Sequence, residues 1–323
     1  MKKALFATTA LVLSAGVAAA DVTISGYGRT GIIYYENDVD GLNETTVVSR
    51  LRMNIDASTT TDSGIDFGAR FRLQWDQGDD TTGANPGKLY VTAQGLTVEV
   101  GNVDTAIDNS GLIYATELGS YDRSVGFSGV VGNFFAYAPK SYGAYNDRVG
   151  VAAIYSIDDL TLRASYIDPD QRWDLPGNPE KELGLAVDYV WNDVLELSAA
   201  ATWNGAGIDD NDIFFVGARY AVTEQARIGL NYIDTNDYDD ASYGSVGSTI
   251  ALYGDYTLLD GLTNIEAYVA HNSDGGDAGV EFETDTAYGI GVNYDLGGAR
   301  LGASIQRDYW KNVTADMGVR FNF

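Results

Sequence analysis

Apolar and polar residues take turns along most of this chain, the period-two pattern of strands whose two faces meet different surroundings. The clearest stretch is Ile65-Asp66-Phe67-Gly68-Ala69-Arg70-Phe71-Arg72-Leu73-Gln74-Trp75-Asp76. Ile65, Phe67, Ala69, Phe71, Leu73 and Trp75 share one face, while Asp66, Arg70, Arg72, Gln74 and Asp76 share the other. A soluble sandwich would bury the first face, and a membrane barrel would turn it toward lipid. Alternation by itself does not separate the two.

The same pattern predicts about sixteen strands, starting near Val22, Val47, Ile65, Leu89, Leu96, Val149, Leu160, Leu183, Leu195, Phe214, Ala226, Ile250, Ile265, Thr286, Leu301 and Val313. Their connections alternate in length. Thr60 to Gly64, Gln94-Gly95, Ile157 to Asp159, Trp191 to Asp193 and Asp295 to Gly298 read as tight turns, whereas Asp234 to Gly247 and His271 to Glu283 are long and polar. Short turns at one end and long loops at the other mark an all-β transmembrane antiparallel barrel, with periplasmic turns and external loops. Greek-key sandwiches have no reason to alternate so regularly. The chain from 21 to 323 reads as one barrel domain without a linker.

In the last predicted strand, Val313, Ala315, Met317, Val319, Phe321 and Phe323 alternate with Thr314, Asp316, Gly318, Arg320 and Asn322. A closed barrel seals its final strand against its first and leaves no free edge. Val22-Thr23-Ile24-Ser25 is the expected partner, and Phe323 the expected assembly signal.

Ahead of the first strand, Lys2 and Lys3 precede an apolar run from Ala4 to Val17, and Ala18-Ala19-Ala20 offers a cleavage site before Asp21. Residues 1–20 therefore read as a cleaved signal peptide for the general secretory route. Removing Lys2 and Lys3 takes the formal charge from −26 to −28. So acidic a chain is a poor nucleic-acid partner. The absence of cysteine excludes disulfides and thiolate metal sites. With 12% aromatic residues, disorder is a poor description too.

Several stretches resemble the general porins of alphaproteobacteria. They are Ser49-Arg50-Leu51-Arg52, Thr60 to Ala69, Tyr288-Gly289, Tyr294 to Gly298, and Ala315 to Phe323. The resemblance implies a homotrimer of sixteen-stranded barrels, set among the lipids and lipopolysaccharide of the outer membrane. It also implies a third external loop folded into the bore, here the stretch at about 102–147. That loop departs from the family pattern in being apolar from Gly126 to Pro139, with Val130, Val131, Phe134, Phe135 and Tyr137.

Inward parity puts Arg50 and Arg52 on the second strand and Arg70 and Arg72 on the third. With the turn centred on Thr61, Arg52 would oppose Arg70, and Arg50 would oppose Arg72. Such pairs repel by about 1 kcal/mol in a watery lumen, so carboxylates are expected beside them. The inward loop offers Asp104, Asp108, Glu117 and Asp122. A basic wall facing an acidic loop would set a field across the pore that orients dipolar solutes. Arg148 and Arg163 are secondary pore-lining candidates.

Glu36-Asn37-Asp38-Val39-Asp40-Gly41 imitates the start of a calcium loop but lacks the closing carboxylate, since Val47 holds position twelve. Glu36, Asp38 and Asp40 are thus a candidate rim site for calcium in a protein that otherwise needs no cofactor. His271 is the only histidine, so any Ser/His hydrolase chemistry would rest on it. Three classes follow: a general diffusion channel with weak cation preference, a substrate-selective channel, and a structural or enzymatic barrel. The first predicts passive passage of small hydrophilic solutes and ions, the second saturation by one solute, the third a plugged lumen.

Overall fold

A computed structural model describes residues 21–37, 41–79, 82–121, 126–127, 133–137, 148–171, 179–235, 247–273 and 282–323. The candidate signal peptide lies outside them. Sixteen long antiparallel strands, each bonded to its sequence neighbours, close into a barrel, with a two-residue strand as an extra rung. In order they are β1 (Asp21–Tyr35), β2 (Thr45–Thr60), β3 (Asp66–Asp76), the short β4 (Gly83–Ala84), β5 (Lys88–Ala93), β6 (Leu96–Gly101), β7 (Val149–Ile157) and β8 (Leu160–Asp168). There follow β9 (Glu182–Trp191), β10 (Leu195–Trp203), β11 (Ile213–Ala221), β12 (Ala226–Thr235), β13 (Ser248–Thr257), β14 (Thr263–Asn272), β15 (Thr286–Asp295), β16 (Ala299–Arg307) and β17 (Val313–Asn322). Every predicted strand start lies within two residues of an observed one.

What alternation left open, exposure decides. The outer surface carries an aliphatic band of Val151, Leu162, Leu185, Leu197, Val216, Leu230, Leu252, Val269 and Ile290, all exposed. Toward the short turns it is edged by Tyr155, Tyr189, Trp191, Tyr220, Tyr256 and Tyr294, and toward the long loops by Tyr166, Phe214, Tyr232 and Tyr288. An apolar band between two aromatic girdles is the surface that a bilayer covers. The interior is polar instead, with Gln74, Ser198, Asn231, Asn293, Gln306 and Asp316 buried there. No described helix is long and apolar enough to cross a membrane.

Turn chemistry fixes the hairpins. Gln94 and Gly95 both have positive φ, 50° and 82°, as a two-residue turn requires. A Cβ at Gly95 would also lie 2.6 Å from the Ser156 carbonyl oxygen, so the tight β5–β6 turn and the β7 edge both call for glycine.

Closure joins β1 to β17, with Tyr27 opposite Asn322 and Tyr35 opposite Thr314. Gly26 and Phe323 extend the seam by exchanging backbone hydrogen bonds of 2.8 and 3.0 Å. The expected partner segment is therefore corrected: Val22 to Ser25 pair with Ala57 to Asn54 of β2 instead. Strands in a barrel tilt and stagger, which offsets the last strand along the first.

Candidate functional site

The inward loop begins at Asn102, where β6 leaves the sheet. Its first limb, residues 102–121, runs around the inside of the wall, and many of the strands it passes offer a polar side chain to its backbone. Ala106 N–H donates to Ser165 Oγ of β8 (2.9 Å), and Gly111 N–H to Asp188 of β9 (2.8 Å). Asn231 of β12 donates to the Leu112 carbonyl (2.7 Å), and Glu266 of β14 accepts from Glu117 N–H (2.7 Å). Asn293 of β15 donates to the Glu117 carbonyl (3.0 Å), and Asp316 of β17 accepts from Ser120 N–H (2.8 Å) and Oγ (2.7 Å). Finally Arg29 of β1 donates to the Tyr121 carbonyl (2.9 Å), whose own hydroxyl bonds the Val48 carbonyl (2.6 Å). An irregular segment inside a barrel must satisfy its backbone somehow, and here the wall supplies the partners.

Apolar packing holds the same limb. Ile107, Leu112 and Ile113 are buried against Ala186, Ala200, Phe215 and Ile233, and Leu118 against Ala251, Tyr253, Tyr268 and Ala287. Each such side chain contributes about 1.5–3 kcal/mol when fully buried. Phe215, Tyr253 and Tyr268 therefore depart from the outward habit of the aromatics because they form the bed of the loop. The loop also comes very close to the wall: a Cβ at Gly302 would lie 2.5 Å from the backbone of Gly119. Phe127, Phe134 and Tyr137, from the apolar stretch that sets this loop apart, are buried too. Phe127 packs edge-on to Tyr253 and Tyr268, at 5.0 and 5.8 Å between centroids.

The loop lies over β8–β15 and reaches β17 and β1, and the basic wall occupies β2 and β3 with their neighbours. Arg50, Arg52, Arg70 and Arg72 all point inward, while Leu51 (46% exposed) and Phe71 (55%) point out. The facing pairs differ from expectation. Arg50 stands opposite Asp76, Arg52 opposite Gln74, Arg72 opposite Asn54 and Arg70 opposite Asp56. The turn centres on Ser63, not Thr61, because Thr61 N–H bonds the Ile65 carbonyl (2.9 Å) and Gly64 takes a φ of 77°. That shift replaces two like-charge pairs with four complementary ones. Arg50 is ion-paired with Asp76, Arg70 meets Asp56 at 2.7 Å, and Arg52 and Arg72 bond Gln74 (2.7 Å) and Asn54 (3.1 Å).

The wall extends beyond the predicted four. Arg50 adjoins Arg29 of β1, Arg29 adjoins Arg320 across the seam, and Arg320 adjoins Arg300 of β16. Tyr27 sits among them, with Arg320 4.4 Å and Arg52 5.3 Å from its ring centre. These cations come from opposite ends of the chain, and only the closing register brings them into line.

Of the acidic candidates, Asp104 bonds Lys88 (3.1 Å), a buried amine that also meets Glu99 at 2.9 Å. Asp104 and Asp108 both lie within electrostatic reach of the wall, Asp104 acting on Arg72 and Asp108 feeling Arg72 and Arg52. Burial, with Asp104 adding to it, pushes the Asp108 carboxyl up to about 6 despite a hydrogen bond from Tyr114. Glu117 is instead paired with Arg300 (2.6 Å), away from the four predicted arginines. Asp122 lies outside the described residues.

Arg148 is corrected from a pore-lining position to a buried one, donating to Asn102 (3.3 Å) at the foot of the loop. Arg163 is inward but ion-paired with Asp188, the loop anchor. At the rim, Glu36 accepts from Val313 N–H (2.8 Å), while Asp38 and Asp40 lie outside the described residues. No cluster of three His, Cys, Asp or Glu suited to a metal occurs among the described residues.

A closed sheet that shows hydrocarbon to its surroundings and charge to its bore holds water inside, so its class is the outer-membrane channel. The Gram-negative porin family profile matches residues 7–312, and the chain belongs to that family. It is similar to a porin of Fuscovulum blasticum, 41% identical over 94% of this chain and all of that one. It is also similar to a porin of Rhodobacter capsulatus, 26% identical over 94% of this chain and all of that one. Among solved structures it resembles a mutant of Rh. blastica porin, with TM-score 0.84 and 39% identity over 94% of this chain and all of that one. The protein is a general diffusion porin of the Gram-negative outer membrane.

Proposed function

We propose that this porin passes small hydrophilic solutes and ions with a weak preference for cations, through a bore whose field runs from the arginine wall to Asp104 and Asp108. The observation that carries this reading is the placement of Arg50, Arg52, Arg70 and Arg72 on one inner face while the loop brings two carboxylates within their reach. Wall arginines held by Asp76 and Asp56 are partly neutralised, which leaves the acidic balance of the chain to favour cations. Passage on this reading is passive and involves no catalysis; His271 has outward strand parity, 3.6 Å from an exposed Asp285. No cofactor enters it, and Glu36, the described member of the rim calcium candidate, is committed to the backbone of β17.

The working assembly we propose is a homotrimer among outer-membrane lipids and lipopolysaccharide, exported by way of residues 1–20. Phe323, bonded through its backbone to Gly26, would act as the assembly signal. Reversal potentials across planar bilayers in a salt gradient test the selectivity. Cation preference at low salt should vanish near 1 M, where the Debye length falls to about 3 Å. Arg52→Glu should strengthen that preference, and firm anion selectivity of the unmodified protein at low salt would exclude the proposed balance.

A further inference from the structure

We propose that Tyr137 seals the crevice between the inward loop and the basic wall, thereby setting aperture and ion preference, and that Glu182 is the residue that positions it. This rests on reading the lumen as a conducting pore with an arginine wall. Glu182 opens β9 on the inner face and is wholly buried. One carboxylate oxygen accepts two backbone N–H groups from different loops, Phe135 (2.7 Å) and Ala206 (2.8 Å).

Ala206 lies between β10 and β11 with φ 58°, flanked by Asn204 at 52° and Gly207 at 76°. The neighbouring N–H groups are bonded elsewhere, Gly205 to the Asn211 carbonyl (2.7 Å) and Gly207 to the Asn204 carbonyl (3.0 Å), so the turn presents the Ala206 N–H to Glu182. Asn211 adds a second tie, donating to the Asn133 carbonyl (2.7 Å) and the Gly205 carbonyl (2.6 Å). The charged groups facing Glu182 are Arg148 and Asp108. Arg148 lies 4.9 Å from the Phe135 ring centre, so the ring packs against the guanidinium while its N–H is held by the carboxylate.

Two residues beyond Phe135, the chain has reached β3 and β5. The Tyr137 ring, 5% exposed, lies 4.1 Å from the Arg72 guanidinium and 5.4 Å from Lys88 Nζ. The loop is thus anchored at β9 and ends this segment against the basic wall. The ring fills the space between them and covers one of the four wall arginines. With the ring removed, water would enter beside Arg72, which widens the path and uncovers a positive charge. Loosening Phe135 should have the same effect by letting the ring withdraw.

The experiment uses the full-length porin in planar bilayers, reading single-channel conductance and reversal potential for Y137A, Y137F, E182A, E182Q, the Y137A/E182A double variant and R52E. Y137A should raise conductance by about 1.5-fold and move the reversal potential toward anions. Y137F keeps the ring and should match the unmodified protein. E182A should reproduce Y137A, and the double variant should add nothing, because both changes act on one element. E182Q keeps an acceptor and should stay near the unmodified protein. Unchanged conductance and reversal potential in Y137A that still runs as a heat-modifiable barrel would overturn the seal. Additive effects in the double variant would overturn the positioning role. If R52E shifts selectivity while Y137A does not, the seal falls and the basic wall stands; if neither shifts it, the reading of the wall falls as well. Should E182A fail to assemble, the contrasts of Y137A with Y137F, and of E182Q with the unmodified protein, decide the matter.

Discussion

Asp108 is one loop carboxylate whose charge the pore can lose under ordinary conditions. Its carboxyl, pushed up to about 6 by burial and by Asp104, is ionised at neutral pH and takes up a proton as the pH falls through that value. The folded protein binds this proton more readily than the unfolded chain does, so ionised Asp108 costs the fold a little above pH 6, and acid relieves that cost. The selectivity change has a definite sign. Cation preference should drop between pH 7 and 5, before ordinary carboxylates titrate, and Asp108→Asn should remove that step while lowering the preference at pH 7. Reversal potentials across that range check it, and a step surviving unchanged in Asp108→Asn would assign it elsewhere. Asp108 was legible in the sequence as one acid of a loop, but its distinct titration was not, because that depends on burial and on the nearness of Asp104, which arise only in the folded loop.

The β2–β3 hairpin shows what alternation does and does not determine. Which side chains face inward follows from parity alone, so Arg50, Arg52, Arg70 and Arg72 could be placed from sequence. Their partners could not, since moving the turn centre from Thr61 to Ser63 changes every opposed pair while leaving parity intact. Arg29 and Arg320 were missed for a related reason: their neighbours lie across the seam, whose stagger no local pattern records. The loop's apolar residues were visible, yet nothing in the sequence said that Phe215, Tyr253 and Tyr268 would turn inward to receive them. Cysteine scanning reads the parity directly, in a chain that has no cysteine of its own. Cysteines replacing Arg50, Arg52, Arg70 or Arg72 should react with a water-soluble thiol reagent and reduce current, whereas those replacing Leu51 or Phe71 should be protected in the bilayer. An arginine at Leu51 should cost about 2–4 kcal/mol if it sits at mid-membrane. Reactive cysteines at Leu51 and Phe71 would reverse the faces.

Considered whole, the molecule joins two kinds of closure. The strands close through backbone hydrogen bonds at the β1–β17 seam, and the inward loop ties side chains of β8, β9, β12, β14, β15, β17 and β1 to a single backbone path. The second closure has a mechanical meaning. A cylinder held only at its surface flattens easily into an ellipse, whereas one with a rib bonded inside resists. The first limb of the loop is such a rib, and it stiffens the cross-section of a wall that membrane tension and osmotic pressure would otherwise deform. Asp316 of β17 fastens the rib on one side of the seam, as Arg29 of β1 does on the other. Asp316→Ala should leave the barrel assembled but make its conductance sensitive to applied bilayer tension, to which the unmodified channel should be nearly indifferent. Equal tension responses in the two proteins would mean that the strands alone bear the load.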